Sequence, residues 1–158
     1  MNSRLIFQLG LLSAAACLSS VPLRAADAPH KFIVTDSSAA RAQLPFSDAV
    51  QAGDTLYVSG TLGIDPATSQ VATDPKAEAK LVLDAVKRTV EAAGYQFDDL
   101  VSVQVYCTNL ELYGLFNDVY RGYFHEHFPT RAFIGVNQLV RGAHFEVMAT
   151  AVKSAKAH

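Results

Sequence analysis

The sequence predicts an α+β domain in which a sheet of five to six strands carries two helices on one face. The order of the patterned segments indicates this class: several strands, a helix, a strand, a second helix and two final strands. The composition agrees, because 158 residues, 50% hydrophobic and 18% charged, are enough for one domain around one core. The same figures exclude intrinsic disorder, a collagen-like repeat and a disulfide scaffold.

Residues 1–26 are predicted to be a signal peptide. Arg4 gives the short leading segment its positive charge, an apolar run follows over residues 5–21, and Ala25 and Ala26 are small residues of the kind signal peptidases accept. Two alternatives remain open: a hydrophobic N-terminal helix of the fold, or a lipoprotein leader in which Cys17 is lipidated. The expected location is periplasmic or secreted, or membrane-anchored if Cys17 carries a lipid.

Residues 27–158 then form a single domain, with a core over about 44–153. This mature chain has a formal charge of −4, since the leader takes two arginines with it. It shows no basic cluster, which argues against a nucleic-acid partner. Cys107 is its one cysteine, so no intramolecular disulfide is possible, and its alternation with polar residues predicts that it faces the core. No later segment has the ~20 apolar residues needed to cross a bilayer.

The first half of the domain is predicted to be extended. Phe32–Val34 is a candidate first strand, and residues 47–51 and 55–60 flank a turn at Gly53, which predicts a hairpin. Gly60 interrupts the second arm of this hairpin. A glycine inside a strand permits close approach by a ligand or by another chain.

A helix is predicted from Pro75 to Ala93. Asp74 is its N-cap, Pro75 suits the first helical position, and Gly94 follows as a C-terminal stop. The apolar residues between them recur at helical spacing. Asp84 and Arg88 are predicted to pair on the polar side, four residues apart.

Three further strands and one more helix complete the domain. Leu100–Cys107 alternates strictly and predicts a strand. An amphipathic helix is expected from Leu112 to Phe124, ended by Phe128 and Pro129. Two strands follow, Arg131–Val136 and His144–Val152.

The last strand is apolar on both of its sides. Phe145 and Val147 lie on one side, whereas Met148 and Val152 lie on the other. Two helices cover one face of the sheet, so the second face needs another cover. The simplest cover is a second copy of the chain, which predicts a homo-oligomer.

The motif His125–Glu126–His127 is not expected to bind a metal. On a helix, residues i and i+2 point roughly 200° apart and cannot share one ion. A solvated helix end is the interpretation we adopt. Phosphate-binding loops and a serine nucleophile elbow do not occur in the sequence either.

Two charged residues stand out in apolar strands. Arg131 precedes an apolar strand, where its guanidinium either grips a ligand carboxylate through two parallel hydrogen bonds or pairs with a structural carboxylate. Glu146 is the matching acid in the last strand. It is a candidate for proton transfer, or it neutralises Arg131 or a cation of a neighbouring subunit.

Several motifs together resemble the Rid superfamily, the RidA-like reactive intermediate deaminases. The likeness runs from about Leu44 to Lys153 with the motifs in the family's order. They are Pro45–Val50, Tyr57–Gly60, Glu91–Gly94, Val101–Tyr106, Phe116–Tyr120, Pro129–Arg131 and Phe145–Val152.

The resemblance implies a chorismate-mutase-like fold with a mixed sheet, assembled as a homotrimer with clefts between subunits. It implies hydrolysis of enamine and imine acids such as 2-aminoacrylate and 2-iminopropanoate to a 2-oxo acid and ammonia, with no cofactor and no metal. Arg131 resembles the arginine that binds the substrate carboxylate, and Glu146 the glutamate linked to water activation or proton delivery. Ser59 and Gly60 match wall positions of the cleft, and Asn117 an asparagine near it.

Three positions depart from the family pattern. Phe46 lacks the hydroxyl of a common tyrosine, Phe133 stands where a cysteine is frequent, and Met148 replaces the second acid of the closing motif. These apolar replacements motivate an alternative function, a non-catalytic small-carboxylate binder or a chaperone-like trimer in the periplasm. The endoribonuclease activity sometimes ascribed to the family is disfavoured, because a net negative chain holds phosphates poorly.

Overall fold

The computed structural model describes residues 29–36 and 43–153. The signal peptide predicted for residues 1–26, with the alternative lipidation at Cys17, lies outside these residues and stays a prediction. Among the helices of the described residues, none is long and apolar enough to cross a membrane.

The strands of the described residues are β1 (Lys31–Ile33), β2 (Ala49–Ala52), β3 (Thr55–Leu62), β4 (Ile64–Asp65), β5 (Gln70–Val71), β6 (Leu100–Cys107), β7 (Thr130–Gly135) and β8 (Phe145–Val152). Six of them form one mixed sheet in the spatial order β1-β2-β3-β8-β6-β7. The β6–β7 pair is parallel and the other pairs are antiparallel. Two further short strands, β4 and β5, form a separate hairpin. This arrangement confirms the predicted α+β class.

The predicted hairpin is present, with Gly53 in the turn that joins β2 to β3. Its φ of 60° lies in the left-handed region that glycine adopts without strain. β3 runs past Gly60 to Leu62, which is longer than the sequence pattern suggested. The register against β8 shifts between Val58 and Thr61, so that Gly60 sits in a bulge of the strand.

Helix α1 (Pro75–Ala92) has the ends that the sequence predicted. The Asp74 carboxylate caps it by accepting a 2.9 Å hydrogen bond from the backbone N–H of Ala77. Gly94 has φ of 81° just beyond the last turn, as expected for a helix stop.

The pairing predicted on the polar side of α1 is wrong. Asp84 accepts hydrogen bonds from the Lys80 ammonium and the Tyr123 hydroxyl, both at 2.6 Å, and Arg88 contributes only longer-range attraction. Burial of Asp84 opposes its ionisation, but the two donors outweigh this effect and lower the pKa of the carboxyl group. The tyrosine comes from a distant segment, which residue spacing within one helix cannot reveal.

Helix α2 (Tyr113–Tyr120) is shorter than predicted, because the chain tightens into a 3₁₀ turn over Arg121–Tyr123. In this turn the Tyr123 hydroxyl reaches α1, where its oxygen also lies 3.1 Å from the carbonyl oxygen of Lys80. The tighter turn therefore ties the end of the second helical segment to the first helix.

The core lies between the two helices and one face of the six-stranded sheet. Cys107 is fully buried there, as predicted, and burial raises the pKa of its thiol. The largest fully buried apolar side chains include Tyr95, Phe116, Phe145, Leu56 and Leu83.

One carboxylate is also fully buried in this core. Glu78 of α1 accepts hydrogen bonds from the backbone N–H groups of His144 at 2.7 Å and Phe145 at 2.8 Å. Its second oxygen lies 2.6 Å from Nδ1 of the His144 ring. These contacts fasten α1 to the beginning of β8, and the sequence pattern had not singled out this residue.

The opposite face of the sheet carries exposed apolar side chains. Tyr57 is 55% exposed, and Met148 and Val152 are each 38% exposed. Met148 and Val152 alternate along β8 with residues that face the helices. The prediction of a second, uncovered apolar face is thus confirmed for the described residues.

Candidate active site

Arg131 of β7 lies half-buried in a cavity of about 330 Å³ beside α2. Three aromatic rings surround its guanidinium. The Cζ atom is 4.6 Å from the ring centre of Tyr120, 5.7 Å from that of Tyr113 and 5.8 Å from that of Phe133. These rings favour the cation and limit its movement.

Asn117 fixes the orientation of the guanidinium. Its Oδ1 atom accepts a 2.6 Å hydrogen bond from Nη2 of Arg131. The ion pairs formed among the described residues do not include Arg131. Of the two interpretations left open by the sequence, pairing with a structural carboxylate is therefore not seen among the described residues, and binding of a ligand carboxylate by Arg131 stays a prediction.

Helix α2 supplies this environment through its residue spacing. Tyr113, Asn117 and Tyr120 are separated by four and three residues, so they project from one side of the helix. Sequence reasoning missed both tyrosines, and it missed Phe128, which also lines the cavity. The i, i+4, i+7 spacing around Asn117 was the available signal.

The two tyrosines differ in the state of their hydroxyl groups. A hydrogen bond with the Asn117 side chain and the positive charge of Arg131 lower the pKa of Tyr113, whose side chain is exposed. Burial raises the pKa of Tyr120 to about 12, and its hydroxyl has no hydrogen-bond partner among the described residues. Tyr113 is therefore the phenol that an incoming molecule meets beside Arg131.

Glu146 lies half-buried on β8 and lines a second, larger cavity of about 840 Å³. Phe46, Ser59 and Gly60 share that cavity. The Ser59 hydroxyl donates a 2.7 Å hydrogen bond to the carbonyl of Ser47. The Glu146 carboxylate itself occupies the space beside Gly60, where the sequence had suggested a ligand or another chain.

The side chains of Arg131 and Glu146 project from opposite faces of the sheet. Arg131 is paired with Val103 of β6, whose side chain faces the helices, whereas Glu146 is paired with Tyr106 of the same strand. Positions three residues apart on a strand point to opposite sides. The predicted site residues thus form two groups: Arg131, Asn117 and Phe133 in one, and Glu146, Phe46, Ser59 and Gly60 in the other.

The segment around His125 is not helical, contrary to the sequence prediction. It follows the 3₁₀ turn as exposed irregular chain, and Nδ1 of His125 lies 3.0 Å from a carboxylate oxygen of Asp98. Across residues 29–36 and 43–153, no three His, Cys, Asp or Glu side chains cluster closely enough to hold a metal ion.

These features define a class of protein: an α+β subunit with one open sheet face, an oriented arginine on one side and a carboxylate against a glycine on the other. The family described as "Endoribonuclease L-PSP" matches residues 36–153. The chain therefore belongs to this family, the reactive intermediate deaminase superfamily that its motifs resemble.

Named relatives and solved structures agree with this assignment. The 2-iminobutanoate/2-iminopropanoate deaminase of Bos taurus is 37% identical over 122 residues, covering 77% of this chain and 89% of that protein. The crystal structure of the E. coli YjgF gene product has a TM-score of 0.71 and 34% identity, covering 78% of this chain and 99% of that one. E. coli TdcF with bound serine has a TM-score of 0.67 and 32% identity, covering 70% and 90%.

Proposed function

We propose that this protein hydrolyses small imine and enamine acids to 2-oxo acids and ammonia. The observation that carries the proposal is the Arg131 guanidinium, oriented by Asn117 among aromatic rings and without a carboxylate partner among the described residues. A relative of 37% identity is named as a deaminase of such substrates. The solved structure of TdcF holds serine, a small molecule that carries both a carboxylate and an amine.

The working unit we propose is a homotrimer with its active sites between subunits. Arg131 and Glu146 leave opposite faces of the sheet and line separate cavities, so one protomer does not bring both to one small substrate. Packing the open apolar face against a neighbouring copy buries Tyr57 and Met148 and makes a shared cleft. Arg131 of one protomer then meets Glu146 of the next.

In this cleft Arg131 holds the substrate carboxylate through two parallel hydrogen bonds, which places the adjacent C=N carbon beside Glu146. The Glu146 carboxylate takes a proton from water as the water oxygen adds to that carbon. The C=N π electrons move to nitrogen, which takes a proton from a second donor in the cleft, and an amino alcohol forms. Glu146 then gives its proton to the amino group, ammonia leaves, and the hydroxyl proton returns to that second donor as the 2-oxo acid forms.

The alternative function is a small-carboxylate binder without turnover. Phe46 favours it, because this residue lines the Glu146 cavity, is 52% exposed and offers no hydroxyl. A thermal-shift titration with 2-oxo acids separates the two functions. Stabilisation by the ligand with no ammonia release from freshly generated 2-iminopropanoate supports the binder.

RNA cleavage is not proposed. The chain has a formal net charge of −2, with 13 basic against 15 acidic residues. Binding to a phosphate backbone depends on neutralising several phosphates with basic side chains. RNA cleavage by a highly purified sample that is lost in Arg131→Ala would contradict this view.

The test of the deaminase is the variant Arg131→Ala. We expect it to release ammonia and 2-oxo acid about tenfold to a hundredfold more slowly at low substrate concentration, because charge-assisted hydrogen bonds to the carboxylate are lost. Lys87→Ala is the matched control, since it also removes one positive charge but from the exposed side of α1. An Arg131→Ala protein as active as the wild type would show that the anchoring role is wrong.

A further inference from the structure

We infer that Tyr113 is an additional catalytic residue of this site, which donates its phenolic proton to the substrate nitrogen. The inference rests on the proposed function, because it assigns a step of that reaction. It goes beyond the two residues to which the family resemblance gives chemical roles. Its basis is the position of the Tyr113 side chain, which lines the same cavity as Arg131 with its ring centre 5.7 Å from Cζ of the guanidinium.

The Tyr113 ring is packed against one neighbour and lies beside the guanidinium of Arg131. It packs edge-on against Phe133, with 5.1 Å between ring centres and an interplanar angle of 88°. Its ring centre lies 5.7 Å from Cζ of Arg131. A ring held in this way presents its hydroxyl in one direction, which general acid catalysis requires.

The substrate chemistry brings the reacting nitrogen to this position. In a 2-imino acid the nitrogen is attached to the carbon that bears the carboxylate. A group in contact with the arginine that binds the carboxylate is therefore close to the nitrogen as well. Tyr113 meets this condition from α2, while Arg131 comes from β7.

Other proton donors in the Arg131 cavity are less suitable. Tyr120 is almost completely buried, with its hydroxyl turned away from solvent. Arg121, which also lines the cavity, bonds to Asp118 at 3.2 Å, and a guanidinium does not give up its proton near neutral pH. Tyr113 also supplies a hydroxyl to a cleft in which Phe46 offers none.

The electrostatic surroundings suit a proton donor. The pKa of Tyr113 is lowered. The largest cause is a hydrogen bond with Asn117, and the positive charges of Arg131 and Arg121 lower it further. The free phenol titrates near 10, so a lowered value makes transfer to nitrogen easier. The hydroxyl keeps its proton until the pH rises through this lowered pKa.

Two protons move as water adds to the substrate, one from the water and one from Tyr113. The water oxygen bonds to the C=N carbon while Glu146 takes a water proton. The C=N π electron pair moves to nitrogen and forms a new N–H bond with the proton of Tyr113, which leaves a phenolate. When the amino alcohol breaks down, the phenolate takes the hydroxyl proton and Glu146 gives its proton to the departing ammonia, so both residues return to their starting states.

The experiment compares Tyr113→Phe with the wild type on freshly generated 2-iminopropanoate. We expect kcat to fall by about a hundredfold, with KM changed by less than about twofold because Arg131 still binds the carboxylate. The wild-type kcat should also decline as the pH rises through the Tyr113 pKa, since a phenolate has no proton to give. The variant should lack this decline.

Tyr123→Phe is the matched control. It removes a phenolic hydroxyl that bonds to Asp84, outside the Arg131 cavity, and we expect its kcat to match the wild type. Binding of pyruvate to both variants, followed by thermal shift, verifies that the carboxylate site is folded. A Tyr113→Phe kcat within twofold of the wild type, with the same pH profile, overturns the inference and leaves the deaminase standing. A wild type without any deamination overturns the proposed function itself.

Discussion

The carboxylate of Glu146 lies directly against the α-carbon of Gly60, on neighbouring strands β8 and β3. A Cβ atom at Gly60 would overlap Oε1 of Glu146 and come within 3.1 Å of its carboxyl carbon. The missing side chain is therefore what permits this position of the acid. The φ of Gly60 lies outside the left-handed region, so alanine is compatible with the local backbone.

The variant Gly60→Ala should keep the fold and lose activity. The overlapping atom is the end of a flexible side chain, so the Glu146 carboxylate moves aside and the backbone stays. We expect the free energy of unfolding to change by no more than about 1 kcal/mol. Moving a reacting group by about 1 Å costs on the order of a hundredfold in kcat/KM. Urea unfolding and an ammonia-release assay measure the two quantities.

Gly122→Ala is the control for that substitution. A Cβ at Gly122 meets no atom within 4 Å, and the residue lies in the 3₁₀ turn after α2. We expect both its stability and its activity to stay close to those of the wild type. Full activity in Gly60→Ala would mean that the position of Glu146 against Gly60 does not matter for the reaction.

The proposed trimer predicts that a charge on the open face breaks the assembly. Tyr57 stands on β3 opposite Thr150 of β8 and is 55% exposed in the single protomer. In Tyr57→Glu the carboxylate would be buried without a partner between subunits, which disfavours association. Light scattering should show a trimeric wild type and a monomeric variant. The variant should also lose deaminase activity, because Arg131 and Glu146 of each cleft belong to different protomers.

Leu110→Glu is the matched control for that experiment. Leu110 is equally apolar and 57% exposed, but it packs near Gly135 at the far end of β7 and not on the open face. It should leave the molecular mass in solution unchanged. A Tyr57→Glu protein that still forms trimers, or a wild type that is monomeric, would contradict the proposed assembly.

The sequence predicted well where structure is decided by neighbouring residues. The cap at Asp74 and the stop at Gly94 fixed α1 to within one residue, because both act on the adjacent helix end. The alternation of Leu100–Cys107 gave β6 its bounds. Arg131 and Glu146 were found as isolated charges in apolar strands, a signal that needs no knowledge of the fold.

Distant contacts were beyond local reasoning. The sequence did not show that β7 runs parallel to β6 or that Asp84 bonds to Tyr123, 39 residues away. Glu78 illustrates the same limit. Its partners at the start of β8 are 66 and 67 residues further along the chain, so a carboxylate near a helix N-terminus gave no sign of being buried.

Because Glu78 is fully buried with three hydrogen bonds, its removal should be severely destabilising. Glu78→Ala leaves the backbone N–H groups of His144 and Phe145 without partners and opens a cavity beneath α1. We expect a loss of about 3–5 kcal/mol in the free energy of unfolding, the range for breaking a buried polar pair. Urea unfolding at one fixed protomer concentration measures it, since assembly adds to the apparent stability.

Two further variants make this result specific to the buried carboxylate. Glu78→Gln keeps one oxygen acceptor for the two N–H groups but turns an amide towards Nδ1 of His144. It should therefore lower the free energy of unfolding by less than Glu78→Ala does. Glu91→Ala removes an exposed carboxylate on the same helix, 3.9 Å from Lys87, and should change stability by less than about 0.5 kcal/mol. If Glu78→Ala costs no more than Glu91→Ala, the contacts between α1 and β8 do not stabilise the fold as their geometry indicates.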